Sequence, residues 1–292
     1  MKKESPNSED IINALKRSGY LMEQEVATQL EALNFQVRTN MAFEDIEEKK
    51  SREIDVRAIK RVAHNEEKKL SAFVEIIAEC KNSMNPFVFI GRPKNQTDNQ
   101  HPPQELVFPI AKYKEQKDFS KNGFQIRTKD AFFHLGFDKV HPDYTSEMKA
   151  VQFCRIDRKG SSWHANHGGL YNSIFYPMAK ALTAQKREIF RNNQSSEWRY
   201  FWLFVPIVII SGNILYVDSI ATDPVLQKRN DITFKREIKS GKLDGIYTIT
   251  FVCQKQLEQF ISDRLEPLVT RMVDLTTIHA DFVLKQNITW KE

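Results

Sequence analysis

Two apolar stretches separated by a short charged segment constrain the fold of this chain more than any other feature. The first is REIDVRAIKRVA, the second is LSAFVEIIAECK, and HNEEKK lies between them. Both stretches have the composition of buried strands, and the charged segment is typical of a solvent-exposed turn. The sequence therefore predicts an antiparallel hairpin whose turn centres on Glu67.

The position of this turn fixes which residues of the two strands face one another. A turn centred on Glu67 places Asp55 opposite Glu79. Side chains alternate between the two faces of a strand, so Glu79 and Lys81 share one face and Cys80 points to the other. Side chains that pair across antiparallel strands lie about 5 Å apart. The sequence thus predicts two carboxylates and a lysine close together at one end of the hairpin.

Two carboxylates at this separation repel one another, and a divalent cation bound between them would remove that penalty. Hard oxygen ligands suit Mg²⁺ or Mn²⁺. Lys81 could then orient an attacking water or offset charge on a phosphate. The alternative is a partly buried ion network that only holds the hairpin together. Acid-x-lysine triplets recur elsewhere in this charged chain, so the triplet Glu79-Cys80-Lys81 alone does not indicate a site. The predicted pairing of Glu79 with Asp55 does.

A helix predicted earlier in the chain, separated from the hairpin by a strand over FQVRTNMAF and the charged loop EDIEEKKS, offers a third acid. In SGYLMEQEVATQLEALNF the residues Met22, Val26, Leu30 and Leu33 form one apolar stripe at helical spacing. Glu23 lies at the edge of that stripe, where its side chain could reach inward beside the sheet. The alternative for Glu23 is an ordinary solvated charge.

Composition limits the class of protein. The longest apolar stretch, FWLFVPIVII, is too short to cross a bilayer and is predicted to be a buried strand. Three widely spaced cysteines form neither a zinc pattern nor a disulfide framework, which favours a cytoplasmic protein with no membrane contact. The net charge of +5 permits a polyanionic partner without requiring one.

The order of predicted elements indicates a mixed α/β fold with an insertion. The pattern is irregular and rich in proline over residues 86–165, so we expect a large insertion with small elements of its own. Residues 1–85 and 166–292 would then form a discontinuous core with a C-terminal αβ tail. Within it, LYNSIFYPMAKALTAQKREIF is predicted to be a helix, and YFWLFVPIVIIS and ILYVDSI to form a second hairpin.

The arrangement of Glu23 on a helix, Asp55 on one strand and Glu79-Cys80-Lys81 on the next resembles the PD-(D/E)XK nuclease superfamily. It is most similar to the Mrr-like, restriction-endonuclease-like branch. The resemblance covers residues 18–83 and, more loosely, residues 170–220. It implies a restriction-endonuclease-like mixed β-sheet flanked by helices, with the large insertion after the catalytic strand.

The resemblance also implies roles for individual residues. Asp55 and Glu79 would be metal ligands together with the main-chain carbonyl of Cys80. Lys81 would act on the nucleophilic water, and Glu23 would be an accessory acid and a further metal ligand. The cofactor would be Mg²⁺ or Mn²⁺.

The implied activity is that of a divalent-metal-dependent nuclease hydrolysing phosphodiester bonds. An endonuclease acting on DNA is favoured over one acting on RNA, and the biological setting would be bacterial antiviral defence. The chain contains no helicase motif, so a homodimer or an activating partner protein could control it. The alternatives are a catalytically silent nuclease-like module that binds nucleic acid and a regulatory or assembly subunit of a larger defence or repair complex.

A second stretch spells the same nuclease motif more literally. Pro142-Asp143 is followed by Asp157-Arg158-Lys159. However, no acid-bearing amphipathic helix precedes it, and its strand is more polar. We therefore favour the motif built on Asp55 and Glu79.

Overall fold

The chain folds around one large mixed β-sheet flanked by helices, in a computed structural model that describes residues 5–119, 123–193, 196–285 and 289–290. This arrangement confirms the mixed α/β class predicted from the sequence. Among the described residues, no helix has the length and apolar character needed to cross a membrane.

The helices and strands are as follows. The α-helices are α1 (Ser8–Ser18), α2 (Tyr20–Ala32), α3 (Ala131–His134), α4 (Pro142–Thr145), α5 (Tyr176–Asn193), α6 (Leu257–Phe260), α7 (Glu266–Thr277) and α8 (Ala280–Leu284). The strands are β1 (Gln36–Glu44), β2 (Ser51–Asn65), β3 (Leu70–Lys81), β4 (Phe87–Pro93), β5 (Leu106–Val107), β6 (Lys112–Phe119), β7 (Gly123–Asp130), β8 (Met148–Lys159), β9 (Ser162–Asn166), β10 (Arg199–Ile210), β11 (Ile214–Asp218), β12 (Gln227–Arg229), β13 (Asp231–Ser240), β14 (Leu243–Cys253) and β15 (Thr289–Trp290).

The predicted hairpin is strands β2 and β3, which pair antiparallel. Val56 pairs with Ala78, and this register continues toward the turn until a shift between Arg61 and Ala63. A β-bulge there adds one residue to β2, which moves the turn by half a residue and leaves the other end of the hairpin unaffected. The predicted register is therefore confirmed as far as Val56 and Ala78. Continued by one residue, it places Asp55 opposite Glu79.

Strand β3 lies inside the sheet rather than at its edge. The strand order is β1-β2-β3-β10-β14-β13-β8-β4-β11-β12, with β10 parallel to β3 along its whole length, from Arg199 opposite Leu70 to Ile210 opposite Lys81. A strand covered on both faces needs apolar side chains on both, which explains the nearly continuous apolar runs of β3 and β10. The carboxyl ends of these two strands lie side by side.

The second predicted hairpin, over residues 200–220, is wrong. Strand β10 pairs with β3 and β14, whereas β11 pairs with β4 and β12. Both edges of β10 are already occupied by these parallel neighbours, because a strand this apolar is stable only in the middle of the sheet. The chain therefore leaves β10 through Ser211-Gly212-Asn213 and joins a different part of the sheet.

Residues 86–165 contribute to both sheets of the molecule. Strands β4 and β8 pair with each other and join the main sheet through β11 and β13. Strands β6 and β7 form a separate three-stranded sheet with β15. The small elements expected there are present, and the division into a core and an insertion stays a prediction.

Helices cover the main sheet on both faces. On one face α2 and α7 pack through side chains such as Leu30 and Met272 onto Val56 and Ile76. On the other face α5 packs in a second cluster that includes Leu182. Helix α2 thereby comes close to the end of the β2–β3 hairpin, which is where the candidate site lies.

Candidate active site at the end of the β2–β3 hairpin

Asp55 is fixed by the backbone of the neighbouring strand. The pairing of β2 with β3 ends at Val56 and Ala78, and one carboxylate oxygen of Asp55, Oδ2, accepts a hydrogen bond from the Cys80 backbone N–H at 2.7 Å. The side chain thus takes the place of the next backbone acceptor in the ladder. This bond holds the Asp55 carboxylate against the end of β3.

The same bond shows where the Cys80 carbonyl points. In an antiparallel pair, the N–H and C=O of one residue point toward the same neighbouring strand. Since the N–H of Cys80 meets Asp55, its carbonyl oxygen also faces the end of β2. The thiol lies on the opposite face, is 8% exposed and belongs to the apolar core. Burial raises the pKa of this thiol, so Cys80 is a core residue rather than a nucleophile.

Glu79 and Lys81 contact each other at the rim of the sheet. Lys81 Nζ donates to Glu79 Oε1 at 2.5 Å, with 31% of the lysine side chain and 17% of the glutamate side chain exposed. Burial raises the pKa of Glu79, the charge of Asp55 raises it further, and Lys81 acts in the opposite direction. Solvent therefore reaches this pair. The ionised form of Glu79 is disfavoured by burial and by Asp55, and only partly stabilised by Lys81.

Asp55 experiences similar forces. Burial raises its pKa above the ordinary value for an aspartate, while the Cys80 N–H and the charge of Lys81 lower it. Both acids are thus desolvated by the fold, and each would gain from a nearby positive charge.

Glu23 joins this group from α2. Its side chain is largely buried, and burial followed by the charge of Asp55 raises its pKa. Glu23 in turn raises the pKa of Glu79. All four side chains singled out in the sequence thus interact electrostatically, but in the described residues Glu23, Asp55 and Glu79 are not arranged to hold one metal ion, so nothing in the structure supports Glu23 as a further metal ligand.

Two neighbours of the site were missed in the sequence. Asn40 lies opposite Asp55 in the β1–β2 register, has a left-handed backbone (φ 51°) and lowers the pKa of Glu23. An asparagine inside a strand pattern is unusual and tolerates this conformation, which could have indicated it. Glu53 raises the pKa of both Asp55 and Glu23. Glu53 lies two residues before Asp55 on the same strand, so the two side chains share a face, and this spacing could have indicated Glu53 from the sequence.

The second spelling of the motif does not form a cluster. Asp143 precedes β8 and Asp157 lies near its far end, so the ten residues from Met148 to Asp157 alone span about 30 Å. Asp157 is already held by Arg155 and Asn166, each at 2.8 Å. These acids cannot act on one phosphate, which supports the choice of the first motif.

The ligands available at the hairpin end are oxygens. In the part of the chain that the structure describes, no group of three or more His, Cys, Asp or Glu side chains is arranged to hold a metal ion. Two carboxylates with mutually unfavourable charge and one carbonyl are a different type of site. Mg²⁺ is commonly bound through one or two carboxylates, with water and substrate phosphate completing its shell. Asp55, Glu79 and the Cys80 carbonyl fit such an ion.

Comparison with known proteins gives no relative for this chain. No protein-family model, curated protein or solved structure matches it. The chemistry of the residues gathered at the hairpin end is therefore the basis for a functional assignment.

Proposed function

We propose that this chain is a divalent-metal-dependent nuclease that hydrolyses phosphodiester bonds, with DNA as the substrate and endonucleolytic cleavage as the reaction. One observation carries the proposal. Asp55 and Glu79 end two paired strands, Asp55 is held by the Cys80 amide at 2.7 Å, and Lys81 contacts Glu79 at 2.5 Å. A structural ion pair would not need the second and third carboxylates beside it.

The order of elements supports the resemblance to the PD-(D/E)XK nucleases. Helix α2 is followed by the antiparallel strands β1, β2 and β3, and later by α5 and by β10, which runs parallel to β3. We propose that these elements are the restriction-endonuclease-like core. Residues 86–165 would then be the insertion that follows the catalytic strand.

Asp55, Glu79 and the Cys80 carbonyl would hold Mg²⁺ or Mn²⁺. When bound, such an ion polarises the scissile phosphate and lowers the pKa of a water. Asp55 needs no rearrangement for this role, because the Cys80 N–H already orients its carboxylate. Glu79 would exchange its contact with Lys81 for the cation.

Lys81 would then be free to act on the substrate. Its Nζ lies at the solvent-accessible rim, where it can orient the attacking water and stabilise the charge that develops on the phosphate. Glu23 would take part as an accessory acid, since its carboxyl interacts with both Asp55 and Lys81. The net charge of +5 is compatible with a polyanionic substrate.

A cleavage assay tests the proposal. The purified chain is incubated with plasmid DNA, linear DNA and RNA in Mg²⁺ or Mn²⁺, with a chelator as the negative control. Cleavage should depend on the metal and should fall at least about a hundredfold in Asp55→Ala and Lys81→Ala. If the chain cleaves neither DNA nor RNA, even with a partner protein added, the proposed nuclease activity is wrong. A binding or assembly subunit would then be the remaining function.

The second motif provides a matched control. Lys159 occupies in that motif the place of Lys81 in the first, and it is exposed on the surface. Lys159→Ala should therefore cleave like the unsubstituted chain. Equal losses in Lys81→Ala and Lys159→Ala would mean that the lysine effect is unspecific.

A further inference from the structure

Three adjoining cavities lie between the middle of the sheet, α4 and the C-terminal helices. Their volumes are about 60, 540 and 400 Å³, and Asp143 and Thr233 line all three of them. None of the three is lined by Asp55, Glu79 or Lys81. The two larger volumes are those of small-molecule sites. This is a region of the molecule to which the nuclease proposal gives no role.

The innermost cavity contains a buried acid without a partner. Glu105 is 6% exposed, and neither of its carboxyl oxygens has a hydrogen-bond partner in the described residues. The hydroxyl of Thr248 lines the same cavity and lies near enough to lower the pKa of Glu105, but neither group has a well-formed hydrogen bond in the described residues. Leaving such groups unpaired costs about 1–3 kcal/mol each. Both groups therefore favour a ligand that brings a hydrogen-bond donor into this cavity.

The larger cavities have a basic lining. Seven lysine and arginine residues line them against four acidic residues, a surplus of three positive charges. Four of the basic residues are paired: Lys149 with Asp98 at 2.6 Å, Arg264 with Asp231 at 3.3 Å, and Lys235 and Lys94 both with Asp143, at 3.4 and 4.0 Å.

Other basic side chains on this lining are held in place without a carboxylate. In the described residues, Arg229 and Arg236 form no salt bridge; they lie over the rings of Tyr216 and Tyr171, at 5.2 and 4.1 Å. An arginine stacked on an aromatic ring can still offer N–H donors to an anion, although Arg229 uses one of its own on Gln227 Oε1, at 2.7 Å. Lys228 lines the same cavity as Arg229.

We propose that these cavities form a binding site for a phosphorylated small molecule that carries an N–H or O–H donor. The phosphate would lie against Lys228 and Arg229, and the donor end would reach toward Glu105 and Thr248. The innermost cavity and the one with Lys228 lie next to each other, since Asp143, Thr233 and Arg264 line both. This site uses none of the nuclease residues, so the two proposals are independent.

Nucleoside monophosphates are suitable probes because they join a phosphate to amino and hydroxyl donors. Binding of the four nucleoside 5′-monophosphates, their nucleosides and inorganic phosphate is measured on the full chain by calorimetry and thermal unfolding. At least one monophosphate should bind more tightly than both its nucleoside and inorganic phosphate. A chain that binds none of these probes at millimolar concentration, or binds only inorganic phosphate, would refute the proposal.

Substitutions separate the two ends of the site. Arg229→Ala should weaken binding of both the monophosphate and inorganic phosphate by about tenfold, whereas Glu105→Gln should weaken only the monophosphate by a similar factor. Thr248→Val, which keeps the side-chain shape, should act like Glu105→Gln. Lys159→Ala removes an equal charge from an exposed position and should change nothing. Monophosphate binding that Arg229→Ala or Glu105→Gln leaves unchanged would overturn the assignment.

Discussion

Two acid–base pairs on β3 differ in a way that separates structure from function. Glu75 accepts two hydrogen bonds from Arg57, at 2.7 and 3.0 Å, and its side chain is fully buried. Glu79, four residues further along, contacts Lys81 through one bond, and both side chains are partly exposed. Arg57 reaches Glu75 from the neighbouring strand, whereas Lys81 belongs to the same strand as its partner.

The difference lies in how completely each acid is matched. Arg57 satisfies both oxygens of Glu75, so this pair links β2 to β3 and has no capacity for a further ligand. Burial raises the pKa of Glu75 as it does those of Asp55, Glu23 and Glu79, but at the rim three acids lie near the single cation Lys81. A surplus of desolvated carboxylates costs stability and is typical of a functional site. The matched pair holds the hairpin, and the unmatched group is available for a cation.

The largest expected effect comes from breaking the matched pair. Arg57→Met leaves Glu75 buried without a partner and should lower the free energy of unfolding by about 3–5 kcal/mol. Lys81→Met removes a partly exposed partner and should change it by less than about 1 kcal/mol. Urea unfolding at neutral pH measures both values. Equal losses would mean that the two pairs do not differ in kind.

Glu105 extends the comparison to a buried acid that forms no salt bridge within the part of the chain that the structure describes. Burial raises its pKa from an ordinary value of 4.5 to about 7. The folded chain therefore keeps a proton that the unfolded chain has released between these pH values, so stability falls as the pH rises through this range. Glu105→Gln should remove this loss, which amounts to roughly 3 kcal/mol at pH 8.

Urea unfolding of the unsubstituted chain and Glu105→Gln at pH 4 and pH 8 measures this effect. The two proteins should differ little at pH 4, where the acid is protonated in both states, and the variant should be more stable at pH 8. A variant that is less stable at pH 8 would show that the ionised carboxylate stabilises the fold.

The smallest expected effect distinguishes Glu79 from Glu75. The raised pKa of Glu79 means that its ionised form destabilises the metal-free fold, so Glu79→Gln should raise the free energy of unfolding slightly at pH 8 and leave it unchanged near pH 4. Burial raises the pKa of Glu75 too, so the distinction rests on Arg57: Glu75→Gln should lower the free energy of unfolding, because it leaves the Arg57 guanidinium buried without its carboxylate. Urea unfolding in the presence of a chelator measures both changes in the free energy of unfolding. Changes of the same sign for Glu79→Gln and Glu75→Gln would mean that the two acids do not differ.

The sequence predicted the hairpin well because its information is local. Strand periodicity and one polar turn are enough to place Asp55 opposite Glu79, and the bulge near Arg61 falls on the turn side, where it leaves the site unchanged. The stripe on α2 likewise placed Glu23 near the sheet. These patterns depend on neighbours in the chain, which a sequence displays directly.

The features that the sequence did not predict depend on distant partners. The partners of β10 are set by competition between strands far apart in the chain, so local spacing suggested a hairpin with β11 that does not form. Glu105 follows two prolines in PPQELVF, a context typical of an exposed loop. It becomes buried because α4 and the C-terminal helices close over it. The left-handed backbone of Asn40 is equally invisible to periodicity.

Equilibrium binding of Mn²⁺, followed by electron paramagnetic resonance, tests most directly whether the unmatched acids hold a cation. The unsubstituted chain should bind Mn²⁺, and Asp55→Asn should weaken that binding at least about tenfold. Asp157→Asn, which changes the acid of the second motif, should leave it intact. A chain that binds no Mn²⁺ at millimolar concentration, or an Asp55→Asn variant that binds as tightly as the unsubstituted chain, would contradict the account.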